Sequence, residues 1–132
     1  MDGGARREPA FEPESEAYSL FRRGLCFLDE RHPGQAALLL ERALRLEPGR
    51  NSIREALGRA YFALGRHERA AELFAAIVAA APDNDYARYA LGRCLVAAGR
   101  GDEALGHLRL ACALRPGKRL YADALEAASS SD

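Results

Sequence analysis

Three cysteines and three histidines are the residues of this chain whose types could hold a metal or form a covalent intermediate. Their spacing works against both. Cys26, Cys94 and Cys112 stand too far apart for a metal-binding pair and are odd in number. A cysteine nucleophile needs a neighbouring base to sustain its thiolate, and His32, His67 and His107 form no HxxxH or HExxH spacing that would place one. No glycine-rich phosphate loop and no GxSxG is present, and no acid pair falls where a cleft is predicted. The chain is therefore not read as an enzyme, and no metal or cofactor is expected.

A second set of residues has the chemistry of recognition. Tyr86, Tyr89, Arg93 and Val96 follow one another at intervals of three or four, as do Ser52, Glu55, Arg59 and Phe62, and likewise Tyr18, Phe21, Leu25 and Leu28. At about 100° per residue each set gathers on one side of a helix. An arginine flanked by tyrosines can take a carboxylate while an apolar side chain packs beside it, and tyrosine and arginine are the types most enriched where binding energy concentrates. The expected partner is another protein, offering a peptide segment or helix with an acidic residue and one or two bulky apolar ones. The competing reading of each position is that it packs one element on the next.

The elements that would hold these residues come from an internal repeat. Residues 17–50, 51–84 and 85–118 align without gaps. Gly24, Gly58 and Gly92 fall in one column, Ala36, Ala70 and Ala104 in a second, and Pro48, Pro82 and Pro116 in a third. Phe27, Tyr61 and Leu95 share a column, as do Leu40, Phe74 and Leu108. Proline lacks a donor and excludes its predecessor from the helical region, so each third column ends a helix. The spacing predicts helices over 17–30 and 34–47, 51–64 and 67–80, 85–98 and 101–114, with a seventh over 118–128. Breakers stand within each pair: His32, Pro33 and Gly34; Gly65, Arg66 and His67; Gly99, Arg100, Gly101 and Asp102. A mid-helix glycine costs about 1 kcal/mol against alanine, so the glycine column is expected to admit a close approach, each glycine abutting the alanine of its partner helix. Cys26 and Cys94 share a column with Ala60 and read as small buried residues. The three histidines read as turn or surface residues.

An ungapped period of 34 residues with these columns resembles the tetratricopeptide repeat (TPR) family over about nine tenths of the chain. The resemblance implies an all-α, right-handed α-α superhelix of three helix hairpins plus a C-terminal capping helix. It also implies that Tyr18, Phe21, Leu25, Leu28, Glu55, Arg59, Phe62, Tyr86, Tyr89, Arg93 and Val96 line a concave groove. One subclass is argued against. The carboxylate clamp that grips acidic chaperone tails needs lysine, asparagine and arginine at columns held here by Phe21, Leu25, Ala56, Tyr86 and Ala90. The expected function is a TPR adaptor or scaffold, with a small holding chaperone or a weak homo-oligomer as alternatives.

Both ends depart from the repeat. Residues 1–16 carry five acids against two arginines and no apolar leader, and read as a disordered or loosely docked acidic arm whose Phe11 could fold back as a cap or pseudo-ligand. Arg23 and Ser19 stand where later repeats have apolar residues, and Glu126 where glycine should recur; both suit the ends of a solenoid, and the array is expected to be complete. Residues 129–132 are expected to fray. The net charge is zero, and repeat three is only mildly basic, short of the stripe that nucleic acid requires. No apolar run is long enough for a membrane span, so a cytoplasmic location is expected. Lys118 is the only lysine among many arginines, a bias read as that of a GC-rich bacterial genome.

Overall fold

The computed structural model describes residues 8–130. Seven helices follow one another: α1 Glu16–Asp29, α2 Pro33–Leu46, α3 Asn51–Ala63, α4 His67–Ala80, α5 Asp85–Ala97, α6 Gly101–Leu114 and α7 Arg119–Ser129. No strand occurs among the described residues. They form three antiparallel hairpins stacked in a right-handed solenoid, with α7 packed on α6 and α5. The start of the acidic arm, residues 1–7, and the last two residues of the tail lie outside the described region. Ser129 ends α7 as helix.

The loops are set by two turn chemistries used in register. The first helix of each pair ends in a Schellman turn. The amides of His32, Arg66 and Arg100 donate to the carbonyls of Phe27, Tyr61 and Leu95 at 2.8, 2.9 and 2.7 Å, and those of Arg31, Gly65 and Gly99 to Leu28, Phe62 and Val96. That turn needs a left-handed residue, supplied by Gly65 (φ 78°) and Gly99 (φ 81°). Arg31 holds the same column at φ 64°, a conformation that costs a side-chain-bearing residue roughly 1–2 kcal/mol. The second helix of each pair ends in a four-residue turn closed by the amides of Arg50, Asn84 and Lys118 on the carbonyls of Glu47, Ala81 and Arg115. Pro48, Pro82 and Pro116 take the second position of that turn, where a fixed φ near −65° fits. One expected breaker outside the expected helices is helical, Pro33 as the first residue of α2; His67 opens α4, and Gly101 and Asp102 open α6, at the starts expected for those helices. Proline at the first position is a start signal, and its location in a breaker cluster hid this.

The glycine column behaves differently from the expectation. A Cβ on Gly24, Gly58 or Gly92 would sit 2.7, 2.6 and 2.6 Å from Leu40, Phe74 and Leu108, respectively. The alanines Ala36, Ala70 and Ala104 are fully buried but do not fill the space above the glycines; only the Ala104 carbonyl oxygen lies near, at 3.5 Å from the Gly92 position. The partner of each glycine is therefore the large side chain one helical turn after the alanine. Those three side chains are at most 2% exposed and form the spine of the core.

One further placement departs from the sequence reading. Cys94 is buried but Cys26 is exposed, because its column packs against the preceding hairpin and α1 has none before it. The arm is docked from Glu8 onwards. Glu8 accepts a hydrogen bond from the Asn51 amide at 2.5 Å, and Arg50 donates to the Pro9 carbonyl at 2.8 Å. The Arg50 guanidinium lies 4.2 Å over the Phe11 ring.

Candidate functional site

The odd-numbered helices share the inner face. α1 touches α3 and α5 touches α7 across it, in addition to contacts along the chain. Each set of recognition residues projects from one of them. Tyr18, Phe21, Leu25 and Leu28 on α1, Glu55 and Phe62 on α3 and Tyr86 on α5 are half-buried, whereas Ser52, Arg59, Arg93 and Val96 are exposed. The α1 end of the face is covered by the arm: Phe11 meets Tyr18 edge-on at 5.1 Å between centroids and Phe21 at 5.3 Å. Leu25 and Leu28 lean onto the core.

The α3–α5–α7 end is open and has the more developed geometry. The Arg93 guanidinium lies 4.7 Å over the Phe62 ring and 5.8 Å from that of Tyr89. On one side of this stack Arg59, Phe62, Tyr86, Tyr89, Ala90 and Cys94 line a pocket of about 210 Å³, floored by Phe74. On the other, Phe62, Val96, Ala97, Leu108, Ala124, Ala127 and Ala128 line an apolar pocket of about 270 Å³. Phe62 and Arg93 border both. Arginine over an aromatic face keeps its donor edge free, so Arg93 offers hydrogen bonds between an aromatic, partly polar hollow and an apolar one.

Tyr89 is the exception among the expected groove residues. It is 6% exposed, with its ring stacked on Tyr121 of α7 at 5.0 Å and 28°. Tyr121 in turn donates to Asp85 at 2.6 Å. At this position the packing reading fits the observed geometry. Conversely, α7 contributes the wall Ala124, Ala127 and Ala128, which sequence reasoning treated only as a cap. The signal was present, since Ala127 stands one period beyond Arg93.

Charges on the inner face are held by burial more than by pairing. Burial pushes the Glu55 carboxyl above its ordinary range, and nearby Arg59 partly opposes it. Among the described residues Glu55 makes no close ion pair, so desolvation outweighs the attraction of Arg59. Burial likewise raises Tyr86, with Glu55 adding to it. Burial pushes the Cys94 thiol up to about 11, the environment of an inert packing thiol. His107 is lowered by burial and by Arg88, whose guanidinium sits 3.1 Å from its Nδ1. His32 and His67 lie edge-on to Phe27 and Phe62 at 6.3 and 5.1 Å. Among the described residues no three His, Cys, Asp or Glu side chains come together as a metal site, and no helix is long and apolar enough to cross a membrane.

A sequence model described as Tetratricopeptide repeat matches residues 21–85 and 57–119. No curated protein matches. Among solved structures, the first TPR of Spaghetti (RPAP3) bound to the HSP90 peptide SRMEEVD is 18% identical, covering 88% of this chain and 92% of that one, with a TM-score of 0.83. The second TPR domain of human RPAP3, in complex with the HSP70 peptide SGPTIEEVD, is 19% identical over 89% of this chain and 98% of that one, with a TM-score of 0.82. A MamA double mutant (RS-1 ArsTM) is 20% identical, covers 89% and 66%, and has a TM-score of 0.84.

Proposed function

Because the chain belongs to the tetratricopeptide repeat family, we propose that it is an adaptor whose inner face receives a short segment of a partner protein. The observation that carries this reading is the pair of pockets sharing Phe62 and Arg93. A carboxylate placed at Arg93 would leave one apolar side chain on each side to enter a hollow, and hydrogen bonds to a charged group are the stronger class. Arg59 at the far rim of the smaller pocket offers a second cation. The segment is therefore one acid flanked by bulky apolar residues.

The two RPAP3 domains are bound to the acidic peptides SRMEEVD and SGPTIEEVD. In this chain the clamp columns carry Phe21, Leu25, Ala56, Tyr86 and Ala90, and Phe21 is further covered by Phe11. The acid is instead met near the α5 end, by an arginine backed by a ring.

A holding chaperone is the second reading, favoured by the apolar wall of α7 and by Val96, which is 41% exposed. Affinity capture from the source lysate separates the two, with Arg59→Glu/Arg93→Glu compared against the natural chain. Tyr89 is left intact because it supports α7. An adaptor retains one protein that the variant loses. A chaperone retains a mixture in which the variant shows no selective loss. One protein retained equally by both chains would move the binding site off the inner face.

A further inference from the structure

The outer surface holds a second concavity, a cleft of about 890 Å³ between α2 and α4, floored by Leu57 and Tyr61 of α3. The repeat supplies its own reference for it. One period later the corresponding cleft, between α4 and α6, measures only about 230 Å³. There Arg100 is bonded to Glu68 at 2.7 Å and to both oxygens of Glu103 at 2.7 and 2.9 Å. Arg66 occupies the column of Arg100, but the columns of Glu68 and Glu103 hold Gly34 and Arg69. One acid is missing and the other is reversed.

Arg66 and Arg69 are consequently brought together without a carboxylate between them. Their guanidiniums lie 6.0 and 4.5 Å from the centre of the same Tyr61 ring, and among the described residues neither makes an ion pair. Arg45 lines the same cleft. Glu41 is occupied, since it accepts the Tyr61 hydroxyl hydrogen bond. Glu72 stands exposed on the wall shared with the next cleft. Leu44 and Leu73 give an apolar strip alongside.

We propose that this outer cleft is a second protein-binding site, taking an acidic segment of a partner whose aspartate or glutamate carboxylate bridges Arg66 and Arg69 and whose neighbouring apolar side chain lies on Leu44 and Leu73. It is independent of the inner face, because the residues of the two sites project from opposite sides of α3. A carboxylate fits better than a nucleic-acid backbone. Glu41 and Glu72 would repel a continuous line of phosphates, whereas a single carboxylate reproduces what Glu68 and Glu103 do one repeat later.

The test uses the isotope-labelled full chain titrated with acetyl-Glu-Leu-Glu-Leu-amide, followed by nuclear magnetic resonance. The expected result is saturable shifts at Tyr61, Arg66, Arg69 and Leu73, at least fivefold weaker affinity with the glutamine analogue of the peptide, and the same loss in Arg66→Gln/Arg69→Gln. A second variant, Gly34→Glu, restores the missing acid from within. A Cβ at Gly34 meets nothing within 4 Å, so this variant folds, and it is expected to compete the peptide away by at least fivefold. Shifts confined to Phe62 and Arg93, equal binding of the glutamine peptide, or undiminished binding by Gly34→Glu would each overturn the assignment. Tighter binding of a dodecameric RNA at the same residues would overturn the ligand class.

Discussion

The glycine at the centre of each hairpin shows how one missing carbon sets an interhelical distance. Gly58 faces the ring of Phe74, which is 2% exposed and has no free side to retreat to. Gly58→Ala therefore overpacks the core, at a cost of about 1–3 kcal/mol that exceeds the gain of about 1 kcal/mol in helix propensity. Gly106, inside α6 with nothing within 4 Å of its would-be Cβ, has only the propensity gain. Urea unfolding is expected to show Gly58→Ala destabilised and Gly106→Ala stabilised, and the same sign for both would remove the packing explanation. Glu55 gives the corresponding electrostatic case. Its folded pKa is raised by burial, so folding favours the protonated form. The stability tied to that form is present below the ordinary carboxyl value of 4.5 and is lost as pH rises through the folded value. Glu55→Gln is thus expected to stabilise the chain at pH 7, with the advantage fading as the pH falls through the carboxylate range. An advantage independent of pH would show that the charge is not its source.

At the scale of the element, the arm and α3 explain each other. α1 and α5 cap themselves, with the Ser15 and Asn84 side chains each accepting an amide hydrogen bond at 3.0 Å. In the column of Asn84, α3 has Arg50, which cannot accept, and the carboxylate of Glu8 reaches the first amide of α3 instead. Arg50, ion-paired to Glu47 at 2.6 Å, clasps the arm through Phe11 and the Pro9 carbonyl. A helix cap contributes about 1 kcal/mol and a cation over a ring roughly 0.5–2 kcal/mol. Phe11→Ala is expected to cost about 1–2 kcal/mol and to speed hydrogen exchange at the first amides of α3 while α5 is unchanged. Uniformly faster exchange would mean that the arm acts on the whole fold and not as a cap. The sequence made the six repeat helices legible because glycine, alanine and proline columns recur at fixed distance. It raised the fold-back of Phe11 but not the arm's contact with α3, since a cap supplied across more than 40 residues has no local spacing. The cysteine column misled for a related reason: Cys26 and Cys94 share a repeat position, but burial there depends on a preceding hairpin that only Cys94 has.

For the whole molecule, a solenoid's stability is a sum over neighbours, and its inner face exists only where neighbours are in place. The residues expected to line a groove share a helical face in the sequence, and Arg59, Phe62, Tyr86 and Arg93 line the smaller pocket. Neither the stack of Arg93 on Phe62 nor the joining of α7 to the wall could be read from spacing, because both depend on how one repeat rotates against the next. α7 is attached chiefly through Tyr121, which is 1% exposed, stacked on Tyr89 and bonded to Asp85. Deleting a buried aromatic costs about 3–5 kcal/mol, and in a one-dimensional array that loss should stay near its origin. Tyr121→Ala is expected to release exchange protection in α7 and then in α5 and α6, leaving α1 and α2 as protected as before. Because Ala124, Ala127 and Ala128 form one wall of the larger pocket, the same variant should weaken an inner-face ligand while sparing one bound in the cleft over Tyr61. Equal loss of protection in all seven helices would show a single cooperative unit, in which damage at one end would reach both surfaces alike.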